Sequence, residues 1–109
     1  MGKLDFNQGT INFWIPSGKL NYGNNKFIVL FNYEDENGII QIQKDKDNGL
    51  KVYYKYNNNG KCSLNTDVNN LDENKRHMIT VTWSLPDKKV KLYINAILKS
   101  ECDINTLPF

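Results

Sequence analysis

The stretch HMITVTWSLPDKKVKLYIN, from His77 to Asn95, decides the fold. In its first half His77, Ile79, Val81 and Trp83 alternate with Met78, Thr80, Thr82 and Ser84. In its second half Val90, Leu92 and Ile94 alternate with Lys91, Tyr93 and Asn95. A period of two in β-branched and aromatic residues marks half-buried strands. The two runs, residues 77–85 and 89–95, flank Pro86-Asp87-Lys88, a gap short enough for an antiparallel hairpin.

Working outward, the same pattern recurs. Residues 9–16 place Ile11, Phe13 and Ile15 on one face and Thr10, Asn12 and Trp14 on the other, and Pro16, which has no N–H, ends that ladder. Residues 27–33 are apolar on both faces, which predicts a strand covered on both sides. Residues 39–44 put Ile40 and Ile42 inward and Gln41 and Gln43 outward; residues 50–56 set Leu50, Val52, Tyr54 and Tyr56 against Lys51, Tyr53 and Lys55. Residues 62–64 predict a short strand, residues 65–76 a polar connection with one helical turn near 71–74, and residues 97–101 a last strand. Asn37-Gly38, Asn48-Gly49 and the run from Asn57 to Gly60 supply turns, since asparagine and glycine tolerate positive φ. Helical periodicity is nearly absent. Short strands at regular spacing predict an all-β antiparallel sandwich or barrel.

With 109 residues the chain reads as one domain, long enough to bury a core without a metal. Net charge is +2 with both signs interspersed, so no electrostatic footprint for nucleic acid is present. No apolar run approaches the roughly 20 residues a membrane helix needs. The ends read as those of a piece cut from a longer protein, so the lack of an apolar leader in Met1-Gly2-Lys3-Leu4-Asp5 says little about location. Cys62 and Cys102 are the only cysteines. They are either one disulfide, contributing about 3–4 kcal/mol by closing a loop of roughly 40 residues, or two thiols in a reducing compartment.

Three segments together resemble a known family. Gly9-Thr10-Ile11-Asn12-Phe13-Trp14-Ile15 is similar to the G-T-[IVF]-x-F-W-[IV] strand of concanavalin A-like domains. Residues 76–83, Arg-His-Met-Ile-Thr-Val-Thr-Trp, resemble the W-H-x-[IV]-x-[VIL]-[ST]-[WY] strand, and Lys91-Leu92-Tyr93-Ile94-Asn95 the K-L-Y-[IV]-[DN]-G strand that follows it. Order and spacing match the laminin G-like and pentraxin-like branch of the concanavalin A-like lectin/glucanase superfamily over roughly residues 9–100. The resemblance implies a two-sheet jelly-roll sandwich, minimal or truncated here, that binds carbohydrate or protein on an extracellular or cell-surface molecule. Two departures stand out: Arg76 replaces the usual Trp, and Ala96 the usual Gly, so the turn there is expected to place Asn95 in the left-handed region. Family members also carry extra flanking strands, places that only residues 3–7 and 97–101 could fill. An incomplete sheet leaves edges that invite a second copy.

No catalytic group is assigned. The glucanase branch needs an E-x-D-x-x-E strand, because a general acid and a nucleophile must flank one bond. Glu34-Asp35-Glu36 does not match it and reads as a solvated turn, while His77 has no nucleophile near it in sequence. No cofactor or metal site is assigned either. Asp45-Lys46-Asp47-Asn48-Gly49 offers alternating oxygen ligands of the kind calcium takes, but it reads as a plain turn. The residues opposite the apolar faces are Asn12, Trp14, Gln41, Gln43, Lys51, Tyr53, Lys55, Thr80, Thr82, Lys91 and Tyr93. Rings beside amides and hydroxyls suit sugars, the ring stacking on C–H faces while amides bond hydroxyls; solvated outer faces of any sandwich carry similar residues. The sequence therefore points to a non-catalytic carbohydrate-binding module with Trp14, Tyr53, Tyr93, Gln41, Gln43, Asn12 and Lys51 as ligand contacts, or to a module that assembles through its sheet edges.

Overall fold

The computed structural model describes residues 5–15, 27–45, 49–56, 60–68 and 74–104. They form eight strands and no helix: β1 (Gln8–Ile15), β2 (Ile28–Glu34), β3 (Ile39–Lys44), β4 (Gly49–Tyr56), β5 (Gly60–Asp67), β6 (His77–Ser84), β7 (Lys89–Ile94) and β8 (Ile97–Asp103). Two antiparallel four-stranded sheets result, ordered β1-β6-β7-β8 and β2-β3-β4-β5. The chain lays down β1, crosses to build a four-strand meander, and returns to place β6 beside β1. This is the expected two-sheet jelly-roll sandwich.

The core follows the alternation. Ile15, Ile79, Val81, Trp83, Val90, Leu92 and Ile94 of the first sheet are buried, as are Ile40, Ile42, Leu50, Val52, Tyr54 and Leu64 of the second. Ile11 and Phe13 pack against them from β1. Trp83 lies over Gly9, its register partner, and a Cβ at position 9 would run into the indole ring. The glycine that opens the G-T-I-N-F-W segment is therefore the seat of the tryptophan that closes the V-T-W segment.

Several expectations need correction. β2 is not covered on both sides. It is the edge of its sheet, with Phe27 and Val29 half exposed at 51% and 46%. Its double-sided apolar pattern comes from a bulge. Val29 pairs with Gln43 and Phe31 with Ile42, so Leu30 is an extra residue and the inward set changes from Ile28 and Leu30 to Phe31 and Tyr33. β5 is eight residues long rather than three, because Asn65, Thr66 and Asp67 continue the ladder opposite Lys51, Leu50 and Gly49. β8 runs on to Asp103. The helical turn expected near 71–74 falls largely outside the described residues, as does Pro16.

Residues 5–7 make a turn instead of the additional strand, and they seal one end of the sandwich. Phe6 is buried against Tyr33, Tyr54 and Tyr56, stacking on the last with ring centres 5.5 Å apart. The Tyr54 hydroxyl donates to the Phe6 carbonyl at 2.6 Å, and Trp83 Nε1 donates to the Asp5 carbonyl at 2.7 Å. Burial, reinforced by Tyr56 and Asp5, pushes the Tyr54 hydroxyl above the usual tyrosine range. Along one side Cys62 of β5 and Cys102 of β8 form a disulfide that ties an edge of each sheet to the other.

At the opposite end the β7–β8 connection is a two-residue turn, with φ of 53° at Asn95 and 68° at Ala96. Both residues are left-handed, as the tightest hairpin turns require. Asn95 is held by its own side chain. Its Oδ1 accepts the Met78 N–H at 2.9 Å, and its backbone N–H donates to the Met78 carbonyl at 2.9 Å. Because a backbone N–H can only donate, the amide orientation is determined, and Nδ2 faces His77 Nδ1 at 3.0 Å. Nδ1 must then accept, which places the proton of neutral His77 on Nε2.

Two measurements check this account. Ala96→Gly relieves a left-handed alanine and should stabilise the fold by about 1 kcal/mol, a rise in Tm of about 4–8 °C; Gly9→Ala should lower stability by about 1–3 kcal/mol through overpacking at Trp83. An unchanged or lower Tm for Ala96→Gly would refute the strained turn. Since His77 is the only histidine, one long-range ¹H–¹⁵N imidazole spectrum at neutral pH should show protonated Nε2 and bare Nδ1. The other tautomer would refute the Asn95 clamp.

Candidate functional site

Strand alternation dictates what the molecule shows to solvent. On the first sheet, register sets the outward side chains in rows. Trp14 stands beside Met78; Asn12 beside Thr80 and then Tyr93; Thr10 beside Thr82 and then Lys91; Gln8 beside Ser84 and then Lys89. On the second sheet Gln43 stands beside Lys51, Gln41 beside Tyr53, and Lys55 between Ile39 and Lys61. The outer faces of a two-layer sandwich point in opposite directions. The sequence-predicted residues therefore divide: Asn12, Trp14, Thr80, Thr82, Lys91 and Tyr93 share one face, while Gln41, Gln43, Lys51, Tyr53 and Lys55 share the other.

The first face has relief. Thr10, Thr82 and Ser84 are short, and the taller Gln8, Lys91 and Tyr93 rise around them, enclosing an open depression of about 340 Å³. Its lining includes three hydroxyl-bearing residues and one phenol, that of Tyr93. Next to it the Thr80 hydroxyl donates to Asn12 Oδ1 at 2.9 Å, which leaves the exposed Asn12 amide nitrogen as a donor toward solvent. At the far end of the face Trp14 is 51% exposed, and the Arg76 guanidinium lies over its ring, 4.6 Å from the centroid.

The charges of this face are separated. Near the depression Lys89 bridges Glu101 and Asp103 of β8. The hydrogen bond to Asp103 is the main reason its ammonium titrates above the usual lysine range. At the Trp14 end Arg76 has no carboxylate partner among the described residues.

The second face is less shaped. Gln41 Nε2 donates weakly to Asn32 Oδ1 at 3.4 Å. A broader hollow of about 560 Å³ lies where Tyr53, Lys61 and Ser63 meet the disulfide and Asp103. It lies between the sheet edges rather than on a sheet face.

Elsewhere the candidate residues hold turns. Asp35 Oδ2 accepts from the Tyr33 hydroxyl and Asp35 Oδ1 from the Asn37 N–H, both at 2.7 Å. Asp45 Oδ1 accepts the Gly49 N–H at 3.1 Å, while residues 46–48 lie outside the described residues. Among the described residues no cluster of three His, Cys, Asp or Glu is placed to hold a metal, and no helix is long and apolar enough to cross a membrane.

Sequence reasoning missed the depression itself and the Arg76–Trp14 stack. The alternation already put Thr10, Thr82 and Ser84 on one face. What it lacked was the knowledge that β1 pairs with β6, which places three short side chains together.

A laminin G-type family model, described as the concanavalin A-like lectin/glucanases superfamily, matches residues 2–108. No curated protein matches. Among solved structures, the Ruminococcus gnavus IT-sialidase CBM40 bound to alpha2,3 sialyllactose is similar, with a TM-score of 0.64 at 15% identity. The match covers 94% of this chain and 56% of that one, so the chain spans little more than half of that structure's length. At this identity the likeness is one of fold.

Proposed function

The chain belongs to the concanavalin A-like lectin/glucanase superfamily, and from that premise we propose that it is a non-catalytic carbohydrate-binding module. The observation that carries the reading is the depression on the β1-β6-β7 face, whose lining brings Tyr93 together with Thr10, Thr82 and Ser84. A sugar presents a C–H face and a rim of hydroxyls. The phenol ring offers area at low entropic cost, and the hydroxyls with the Asn12 amide offer hydrogen-bond partners. Support comes also from the similar solved domain, whose bound ligand is a sialylated sugar. The opposite face, with Tyr53, Gln41, Gln43 and Lys51, is the secondary candidate.

The non-catalytic part of the proposal rests on the carboxylates. Glycoside hydrolysis needs an acid and a second carboxylate across the bond. Among the described residues Asp87 is the one carboxylate lining the depression, and the neighbouring Glu101 and Asp103 are engaged by Lys89. The disulfide accords with an oxidising, cell-surface or secreted location.

A second reading, assembly with another copy through a sheet edge, is favoured by the half-exposed Phe27 and Val29 beside the edge strand β2. Sedimentation decides it: a monomer at high concentration removes this reading.

The carbohydrate reading is checked on a glycan array followed by calorimetry. Tyr93→Ala and Trp14→Ala should each weaken binding about tenfold or more, the loss of one stacking ring; Tyr53→Ala on the opposite face should leave it unchanged. No binding at millimolar glycan would overturn the proposal, and loss with Tyr53→Ala alone would move the site to the other sheet.

A further inference from the structure

We propose that the Trp14–Arg76 corner reads an anionic group, a carboxylate or sulfate, on the bound glycan; this rests on the carbohydrate reading of the same face. Arg76 is the residue that departs from the resemblance, standing where Trp is usual. Its position explains what the change does. Residue 76 continues the outward parity of Met78, and its guanidinium lies on the Trp14 ring, 4.6 Å from the centroid. Arg76 is exposed, and with the guanidinium carbon over the ring its N–H edge is open to solvent. That edge is a planar fork of donors matched to two oxygens of one anion. The ring also holds the side chain in place, so little rotamer entropy remains to be lost on binding.

The charge layout selects the same end of the face. Lys89 is already bonded to Glu101 and Asp103, and Lys91 stands opposite Glu101 across the β7–β8 ladder. Asp87 lines the depression as well. An anion approaching that end meets Lys89 and Lys91 set against three carboxylates, Asp87, Glu101 and Asp103. At the other end the outward residues are Trp14, Met78, Asn12 and Thr80, none acidic, and among the described residues no carboxylate pairs with Arg76. From Thr10 to Trp14 is four residues of strand, about 14 Å, a span a short oligosaccharide covers. One ring would sit against Tyr93, the middle would meet the Asn12–Thr80 pair, and the charged unit would reach the corner.

The experiment compares acidic glycans with their own neutralised forms: sialylated against desialylated, uronic-acid against methyl-esterified, sulfated against desulfated. The native protein should prefer at least one acidic class over its neutral counterpart by about tenfold or more, the scale of a charge-assisted bidentate contact. The class that shows the preference identifies the anion. Arg76→Ala should erase the preference, so that the acidic and neutral forms bind this variant alike, with the Tm unchanged since Arg76 is exposed. Arg76→Lys should recover only part of it, because an ammonium lacks the fork. Equal binding of acidic and neutral forms overturns the proposal. So does an acidic preference that survives Arg76→Ala, or tighter neutral binding in that variant, which would make Arg76 a cover for Trp14. If neither form of any glycan binds, the carbohydrate reading itself falls, and this one with it.

Discussion

The structure depends on the alternating burial of β6. His77, Ile79, Val81 and Trp83 all point into the core, and the strand carrying them is hydrogen-bonded on both sides, to β1 and to β7. A slip of one residue would send that whole set to water and bring Met78, Thr80, Thr82 and Ser84 inside. The apolar side chains at stake are each worth about 1.5–3 kcal/mol when fully buried, so the register admits no alternative. Every outward row on that sheet is then assigned, including the depression under Tyr93 and the corner at Trp14.

The ends of the sandwich are secured by different means. At one end Phe6 enters beneath three tyrosines, while the carbonyls of Asp5 and Phe6 take the Trp83 and Tyr54 donors. These are the polar atoms that buried Trp and Tyr must satisfy. At the other end Asn95 satisfies the Met78 backbone and the His77 ring together. Met78 is the register partner of Trp14. The clamp therefore stabilises the strand pair under the exposed indole, which links a core detail to the surface proposed for binding.

The two outer faces differ because of side-chain length and not because of polarity. Both are polar sheets with lysine and tyrosine. On the first, three short residues from β1 and β6 fall side by side and longer ones ring them. On the second, long side chains from β3 and β4 stand in the rows, and a hollow forms at the edge where β5 meets β8. The first hollow lies on the sheet face among side chains of three strands, the second at the seam between two sheet edges. The cation at the Trp14 corner and the ion-paired end near Asp87 then make the first face polar along its length in charge as well as in shape.

The residue pattern by itself determined the all-β antiparallel class, the bounds of β3, β6 and β7 to within a residue, and the inward set from Ile11 to Ile94, because period-two burial is a local property written residue by residue; it left sandwich and barrel open, and the two layers were implied by the family resemblance. It read β2 wrongly, since a single extra residue at Leu30 shifts the period and imitates a strand covered twice. It cut β5 short, since Asn65, Thr66 and Asp67 carry no apolar signal and are kept extended by pairing with β4. Only the tertiary structure decided that Cys62 meets Cys102, that Tyr53 and Tyr93 lie on opposite sides of the molecule, and that Arg76 rests on Trp14. Each of these depends on which strands become neighbours. That choice is made by the packing of two sheets on one core, and no single segment contains it.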